Sequence, residues 1–185
     1  TAPLPLAALA EHVSALLNNG MAVFEMGPAA TAMEAALVRF FADRFGFPAQ
    51  ADGVLTSGGS AGNLTALLAA RQARAGFDVW REGAQAGPPL ALLVSDQAHY
   101  CVARSAALMG WGAGGAYRVG CDPQHRLDPK ALAAALDSAQ RAGRRPVAVV
   151  ASACTTATGS FDRIEPIAEF CAREGLWLHV DAAHG

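Results

Sequence analysis

Four short stretches hold the residues of this 185-residue sequence whose types and spacing could do chemistry. The first is a glycine- and serine-rich segment, TSGGSAGN, which includes Gly59 and Ser60 and runs directly into an Ala/Leu-rich helical pattern. His99, Thr156 and Asp181 each follow an apolar run further along the chain. These groups could bind a phosphate, stack on a flat ring, donate a hydrogen bond and hold a positive charge.

The glycine-rich segment is typical of a phosphate site. Glycines let a backbone approach a ligand closely, and the helix that follows presents unpaired N–H groups and a positive dipole end. Gly58, Gly59 and Ser60 would supply amides, and Ser60 also a hydroxyl. The same residues are equally compatible with a plain turn between a strand and a helix.

A hydrolase is an alternative, because residues 58–62, GGSAG, satisfy the G-x-S-x-G pattern of a serine nucleophile between a strand and a helix. Asp162 with His179 or His184 would complete the chain order of a catalytic triad. No oxyanion segment of the H-G-G-G type precedes the serine, however. His179 also lies inside an apolar strand pattern, where we expect alternation to set it opposite to Asp181.

The elements that must position these residues alternate between apolar runs and helical periodicity. Strands rich in Val and Leu that alternate with helices predict an α/β fold with a mostly parallel sheet flanked by helices. In this pattern Asp128 is the expected cap and Pro129 the expected first residue of one helix. We predict strands at 53–56, 90–95, 116–119, 147–152 and 176–180, and helices at 6–17, 29–45, 63–75, 102–109, 129–141 and 164–174.

Composition excludes several classes of protein. With 52% apolar residues the chain can bury a core, and its net charge of −2, with dispersed basic residues, disfavours nucleic-acid binding. No apolar run reaches membrane-spanning length and the first residues lack a signal-peptide pattern, so we expect a cytoplasmic protein with no membrane partner. The cysteines form no C-x-x-C pair, which indicates free thiols and no metal site. They are Cys101, Cys121, Cys154 and Cys171.

The sequence also has the form of a fragment. It begins without Met, and it stops just after an apolar strand has delivered Asp181 to its carboxyl end. In an open α/β sheet that end carries the ligand chemistry, so we expect the domain to continue.

The four stretches together meet the needs of pyridoxal 5'-phosphate. This cofactor requires a phosphate anchor, a flat partner for its ring and a carboxylate that faces the pyridine nitrogen. The carboxylate favours the protonated nitrogen, which makes the ring an acceptor for the electrons left when a bond to Cα breaks.

Four longer segments, in this order and spacing, resemble the group II pyridoxal-phosphate-dependent amino-acid decarboxylases. They are TSGGSAGNLTALLAAR, SDQAHYCVARSAALMGWG, TTATGSFDRIEPIAEFC and WLHVDAAHG, and the likeness extends to NNGMAVFEMGPAATAMEAAL near the start. The family includes aromatic-amino-acid, glutamate and L-2,4-diaminobutyrate decarboxylases. The sequences of these segments most resemble the diaminobutyrate-decarboxylase-like branch. The resemblance implies a PLP-dependent carboxy-lyase that converts an L-amino acid to its amine and CO2, or related chemistry at the same carbanion.

The resemblance also implies a fold and a set of partners. The fold is the PLP-dependent transferase fold type I, like aspartate aminotransferase, with residues 1–50 as an N-terminal helical segment and 51–185 as the first part of the large cofactor domain. The implied assembly is a homodimer in which segment 19–26 reaches towards the substrate pocket of the neighbouring subunit. The implied partner is a small-molecule amino-acid substrate, which could be aromatic, acidic or a diamino acid.

Site residues follow from the resemblance position by position. Gly59 and Ser60 match the positions that hold the cofactor phosphate, and His99 matches the residue that stacks on the ring and assists protonation. Asp181 matches the partner of the ring nitrogen, with His99 and Asp181 as the catalytic pair. Ala183 matches the small residue on the other face of the ring, and Thr156 the hydroxyl near the cofactor and Asp181.

Three departures from the family pattern stand out. Cys154 replaces the glycine that usually precedes the paired threonines, so we expect a possible displacement of Thr156. Ala61 stands where many relatives carry a glutamate, so that helix start lacks a carboxylate. The Schiff-base lysine of the family lies downstream of the Asp motif, and Lys130, the single lysine here, does not match it.

Overall fold

A sheet of four parallel strands lies at the centre of the part of the chain that carries the predicted site residues. The structure, a computed structural model, describes residues 3–184. The strands are β1 Leu90–Ser95, β2 Ala116–Val119, β3 Arg145–Ser152 and β4 Trp177–Asp181. The α/β fold and the parallel sheet predicted from the sequence are therefore confirmed.

The strand order across the sheet is β2-β1-β3-β4. From β1 the chain crosses to β2 on one side, then returns over β1 to build β3 and β4 on the other. Ligands of open α/β sheets bind at the carboxyl ends of strands where the order reverses in this way. The reversal falls between β1 and β3, which are followed by His99 and Thr156 respectively.

Both faces of the sheet are covered, and this explains why its central strands are apolar without interruption. Leu92 and Val94 of β1 pack with one layer of helices, whereas Leu93 between them packs with the other. Every residue of β1 is buried. Burial on both faces is typical of parallel sheets built from βαβ units.

The described residues form seven α-helices, and local sequence accounts for several of their ends. His99 caps one helix by accepting from Cys101 N, and Asp128 accepts from Lys130 N in the short 3₁₀ turn that leads into another, as predicted. Gly175 ends the last helix with a left-handed φ of 68°. The helices are α1 Pro5–Leu17, α2 Pro28–Arg44, α3 Gly59–Arg74, α4 Val79–Glu82, α5 Tyr100–Ala106, α6 Leu132–Arg141 and α7 Ile164–Glu174.

The chain divides into two compact units, Thr1–Leu55 and Thr56–Gly185. The first holds α1, the 3₁₀ turn Phe24–Met26 and α2, and no residue of α1 is buried. The second holds the sheet and the other helices. None of the described helices has the length and apolar character needed to cross a membrane.

Some predicted elements are wrong. Residues 53–56 form no strand, because no neighbouring strand pairs with them in the described chain. The helix predicted at 63–75 begins at Gly59, so most of the glycine-rich segment is its first turn. The helix predicted at 102–109 runs only from Tyr100 to Ala106 and continues as a π-helical turn, and the short α4 had no prediction.

Candidate cofactor site

A cavity of about 220 Å³ lies at the carboxyl ends of the strands and brings the predicted site residues together. Its wall comes from the first turn of α3, from the loops after β1 and β3, and from the end of β4. All six residues predicted from the sequence line it. They are Gly59, Ser60, His99, Thr156, Asp181 and Ala183, and they are joined by Cys101 and His184.

The first turn of α3 presents backbone amides to this cavity. Ala61 N and Gly62 N both donate to Gly58 O at 3.0 Å, which leaves the amides of Gly59 and Ser60 as the donors that a helix start leaves unpaired. The Thr56 hydroxyl donates to Gly58 O at 3.1 Å and steadies the turn. The arrangement suits an anion, because these amides and the helix dipole both favour negative charge.

Gly59 is required by the opposite wall of the cavity. A Cβ built on Gly59 would lie 2.8 Å from the Cβ of Ala183, closer than carbon atoms approach one another. The helix start and the end of β4 are therefore as near as two backbones with one methyl group between them can be. The close approach is a structural reason for glycine here in addition to its role at a phosphate.

His99 is held in place by its position at the start of α5. Its Nδ1 accepts a hydrogen bond from Cys101 N at 3.3 Å, which puts the proton of a neutral ring on Nε2. The His99 and Tyr100 ring centroids lie 4.2 Å apart with a tilt of 40°. These two contacts fix an imidazole at the cavity wall, where it can present its flat face to a ring.

Asp181 is the last residue of β4 and is buried, with 8% of its surface exposed. Oδ2 accepts from Asn63 Nδ2 at 3.0 Å and Oδ1 accepts from Ala183 N at 3.1 Å. A buried carboxylate whose partners all donate is kept as an acceptor. Each oxygen retains a second acceptor position, so the carboxylate can also hold a protonated ring nitrogen.

The threonine pair after β3 has a different role for each residue. Thr155 is buried and its hydroxyl lies 2.6 Å from that of Thr158, inside the turn. Thr156 is exposed and lines the cavity. Cys154, in place of the usual glycine, directs its thiol to His184 O at 3.7 Å, and Thr156 reaches the cavity despite the substitution.

The geometry gives no support to the serine hydrolase. No strand lies between residue 3, the first described, and Ser60, and both oxygens of Asp162 accept backbone N–H groups, from Leu127 and Ser152, at 2.7 Å. Burial raises the pKa of Asp162, and its two amide partners oppose this effect. His179 Nε2 bonds to Asn63 and not to a serine. Asp162 therefore holds loops together.

The predicted opposition of His179 and Asp181 is wrong. Residues two apart on a strand point to the same face, and both side chains bond to Asn63 of α3. Sequence analysis missed Asn63, although its spacing was a usable signal. Asn63 is buried on the same face of α3 as Leu67 and Ala70, which follow it at i+4 and i+7, so it is a polar residue at the start of an apolar stripe.

A second, larger cavity of about 460 Å³ lies at the other end of the strands. It contains Arg144 and Arg145 at the start of β3 and Leu176 just before β4. None of the predicted site residues lines it. It also lies at the amino ends of the strands, where ligands of open α/β sheets do not usually bind.

The donor set of the first cavity fits pyridoxal phosphate. Amides and a hydroxyl at a helix start suit the phosphate, an imidazole and a methyl group suit the two faces of a ring, and a buried carboxylate suits a protonated nitrogen. Gly59 supports the fit independently, since a side chain at this position would clash with Ala183 at the wall of the cavity.

Comparisons with known proteins identify the family of the chain. Residues 4–185 match the family described as the pyridoxal-dependent decarboxylase conserved domain. Human cysteine sulfinic acid decarboxylase is 35% identical over 181 residues, which are 98% of this chain and 36% of that protein. The chain thus spans about a third of the length of the curated relatives it matches.

Solved structures agree as well. Mouse CSAD superposes with a TM-score of 0.94 at 34% identity, covering 100% of this chain and 38% of that one. The glutamate decarboxylase domain of diaminobutyrate-pyruvate transaminase and L-2,4-diaminobutyrate decarboxylase from Vibrio parahaemolyticus gives 0.89 at 30% identity, covering 99% and 41%. The predicted fold, family and pyridoxal dependence are confirmed, and the chain belongs to the pyridoxal-dependent decarboxylase family.

Proposed function

We propose that the protein containing this chain uses pyridoxal 5'-phosphate to decarboxylate an L-amino acid, and that this chain is its cofactor-binding portion. The observation that carries the proposal is the convergence of all six predicted residues on one cavity at the carboxyl ends of β1, β3 and β4. Membership in the family supports the reaction type. The product would be the corresponding amine.

The phosphate would be held at the start of α3. Gly59 and Ser60 line the cavity at the positive end of the helix dipole, where their amides and the Ser60 hydroxyl would be donors to the phosphate. Because Gly59 has no side chain, the phosphate could approach its backbone. These residues bind and orient the cofactor and take no part in breaking the bond to the carboxyl group.

The ring would lie between His99 and Ala183, with Asp181 at its nitrogen. Pyridoxal phosphate supplies an acceptor for the electron pair that remains on Cα when the substrate's carboxylate leaves as CO2. Asp181 holds the proton on the ring nitrogen, which keeps that acceptor effective. His99 carries its proton on Nε2 and is a candidate to assist protonation of Cα. Thr156 lines the same cavity as Asp181, and its hydroxyl would be a further donor there.

The covalent lysine would come from a part of the protein outside this sequence. Lys130 is exposed at the start of the helical segment that leads into α6 and does not line the cavity. A lysine activates this cofactor for exchange with the substrate amine. These residues without such a lysine should bind pyridoxal phosphate and turn over poorly.

We further propose a cytoplasmic homodimer. The first unit exposes many large apolar side chains, which indicates an interaction surface. In segment 19–26, Phe24 and Met26 are both more than half exposed, and they would contribute to the substrate pocket of the neighbouring subunit. Analytical ultracentrifugation of the full-length protein tests the dimer, and a monomer at micromolar concentration would contradict it.

The reaction is tested with the full-length protein, purified and loaded with pyridoxal phosphate. An absorbance spectrum before and after borohydride, followed by peptide mass mapping, should locate the cofactor on a lysine other than Lys130. Release of CO2 is then measured with L-cysteine sulfinate, L-glutamate, L-aspartate and L-2,4-diaminobutyrate, since the names of the relatives suggest these substrates. Identification of the product separates decarboxylation from aldehyde formation.

Asp181→Asn is the matched variant. It has the same shape but cannot hold a protonated nitrogen as an ion pair, so we expect bound cofactor with little CO2 release. Asp137→Asn, on α6 and away from the cavity, serves as the control and should behave as the wild type. If the wild-type protein shows no cofactor absorbance and releases no CO2 from any amino acid, the proposed function is wrong.

A further inference from the structure

A buried chain of hydrogen bonds lies beneath the cofactor cavity and joins α3 to β4. Asn63 Nδ2 donates to Asp181 Oδ2 at 3.0 Å, and Asn63 Oδ1 lies 2.7 Å from His179 Nε2. Asn63 Nδ2 also contacts Cys101 Sγ at 3.3 Å. Of these four side chains, Cys101 and Asp181 line the cavity, whereas Asn63 and His179 support it from behind.

The charge of Asp181 fixes the orientation of the whole chain of bonds. An ionised carboxylate only accepts hydrogen bonds, so the Asn63 amide must turn its NH2 group to Asp181. Its carbonyl oxygen then faces His179, which must carry a proton on Nε2. One arrangement therefore satisfies all three groups, and a flipped amide would place two acceptors against each other.

Burial makes this arrangement rigid. Asn63 is 5% exposed and Asp181 8% exposed, so water cannot easily replace either bond. Burial also lowers the pKa of His179, and the negative charge of Asp181 opposes this effect only in part. His179 is consequently neutral near pH 7, a donor from Nε2 that adds no second charge to the site.

The strand register explains why these two residues lie together. His179 and Asp181 project from the same face of β4, and they pair in register with Val150 and Ser152 of β3. Val150 belongs to the apolar cluster beneath α3 and α5. Asn63 of α3 hydrogen-bonds both side chains on this face, and it lies one helical turn beyond Gly59 at the start of the helix.

We propose that Asn63 and His179 are positioning residues that hold the Asp181 carboxylate aimed at the cofactor's ring nitrogen. The inference rests on the proposed function, because it concerns the same site. It assigns a task to two residues that do not touch the cavity. Because Asn63 and Gly59 both belong to α3, the inference also links binding of the ring nitrogen to binding of the phosphate.

The test measures protonation of the ring nitrogen directly in the full-length protein. Pyridoxal phosphate labelled with ¹⁵N in the ring is bound to the wild type and to Asn63→Leu, Asn63→Asp, His179→Phe and His179→Gln, and the ¹⁵N chemical shift is followed against pH. Cofactor affinity is measured in parallel. Loss of a hydrogen bond to a charged group predicts affinity roughly 10- to 100-fold weaker in both Asn63 variants.

The two histidine variants separate positioning from packing. His179→Gln keeps a donor for Asn63 Oδ1 and should retain the wild-type ¹⁵N shift, whereas His179→Phe removes it and should move the shift towards that of an unprotonated ring. Ser105→Ala removes another buried hydroxyl, which donates to Cys101 O, and controls for general loss of stability. It should leave the ¹⁵N shift unchanged.

Each outcome has a distinct meaning. If the wild type binds no cofactor, the proposed function fails before the inference is reached. If the wild type binds it with a protonated ring and both Asn63 variants give the same ¹⁵N shift and affinity, the inference is wrong. If His179→Gln and His179→Phe behave alike, His179 has no positioning role and only Asn63 retains it.

Discussion

Gly59→Ala is the substitution whose effect follows most directly from the structure. The added Cβ would lie 2.8 Å from the Cβ of Ala183, whereas carbon atoms pack best at about 3.5–4.0 Å. Relief therefore requires the start of α3 and the end of β4 to separate by about 0.7–1.2 Å. Ala183 N donates to Asp181 Oδ1 at 3.1 Å, so the same movement stretches a bond to the proposed partner of the ring nitrogen.

The expected size of the effect comes from the cost of overpacking. Forcing extra methyl groups into a packed site typically costs about 1–3 kcal/mol. If the whole cost falls on the cofactor complex, affinity for pyridoxal phosphate decreases roughly 5- to 150-fold. The assay is an equilibrium titration of the apo form of the full-length protein, combined with urea unfolding to measure stability separately.

Two further variants make the measurement decisive. Gly120→Ala adds a methyl group where no atom lies within 4 Å and should change nothing. Ala183→Gly removes the clashing methyl group, so the double variant with Gly59→Ala should bind better than Gly59→Ala alone. Wild-type affinity and stability in Gly59→Ala, or no recovery in the double variant, would refute the steric explanation.

Three other predictions concern the body of the domain. Asp162→Asn leaves one of two buried amides, Leu127 N or Ser152 N, without an acceptor and should lower the free energy of unfolding by about 1–3 kcal/mol in urea titrations. Burial raises the pKa of Cys171 to about 11, so iodoacetamide at pH 8 should modify this thiol far more slowly than that of the half-buried Cys154. Peptide mass mapping measures the two rates, and equal rates would contradict the packing around α7. Burial lowers the pKa of His179 below 6.5, so the unfolded state binds more protons, and stability should fall as the pH decreases from about 6.5. His179→Gln should reduce this loss in unfolding curves at pH 5 and pH 7, and an unchanged difference would show that other groups cause it.

Much of the sheet could be predicted from the sequence because its two central strands are buried on both faces. Leu90–Ser95 and Ala116–Val119 were predicted to the residue, and so was helix Ile164–Glu174. Long apolar runs bounded by turn residues identify such strands well. The run at 53–56 is also apolar, but no strand pairs with it in the described residues. Strand pairing depends on distant parts of the chain, so a single segment cannot predict it.

The start of α3 shows a second limit. Glycine and serine have low helix propensity, so the sequence around Gly59 predicts a loop. In the structure these residues form the first turn of the helix, and the lack of a side chain at Gly59 lets this turn lie against Ala183. The site itself was predictable because motif residues follow strands, and the sheet brings strand ends together.

The network behind the site could not be predicted in the same way. Asn63 and Asp181 are 118 positions apart, and their hydrogen bond depends on the packing of α3 across β4. No local pattern encodes that contact. The position of His179 is different, because the two-residue period of a strand places it on the same face of β4 as Asp181.

The register of β4 against β3 determines how the chain tolerates insertions and deletions. Deleting one residue from Trp177–Asp181 would turn the final carboxylate to the opposite face of the sheet, away from Asn63, with every chemical group still present. One residue added to the exposed turn around Gln124 would leave that alternation intact. In the described part of the chain, length is therefore constrained most strictly within the strand that carries the carboxylate, and natural length variation should concentrate in the turns that join the helices to the strands.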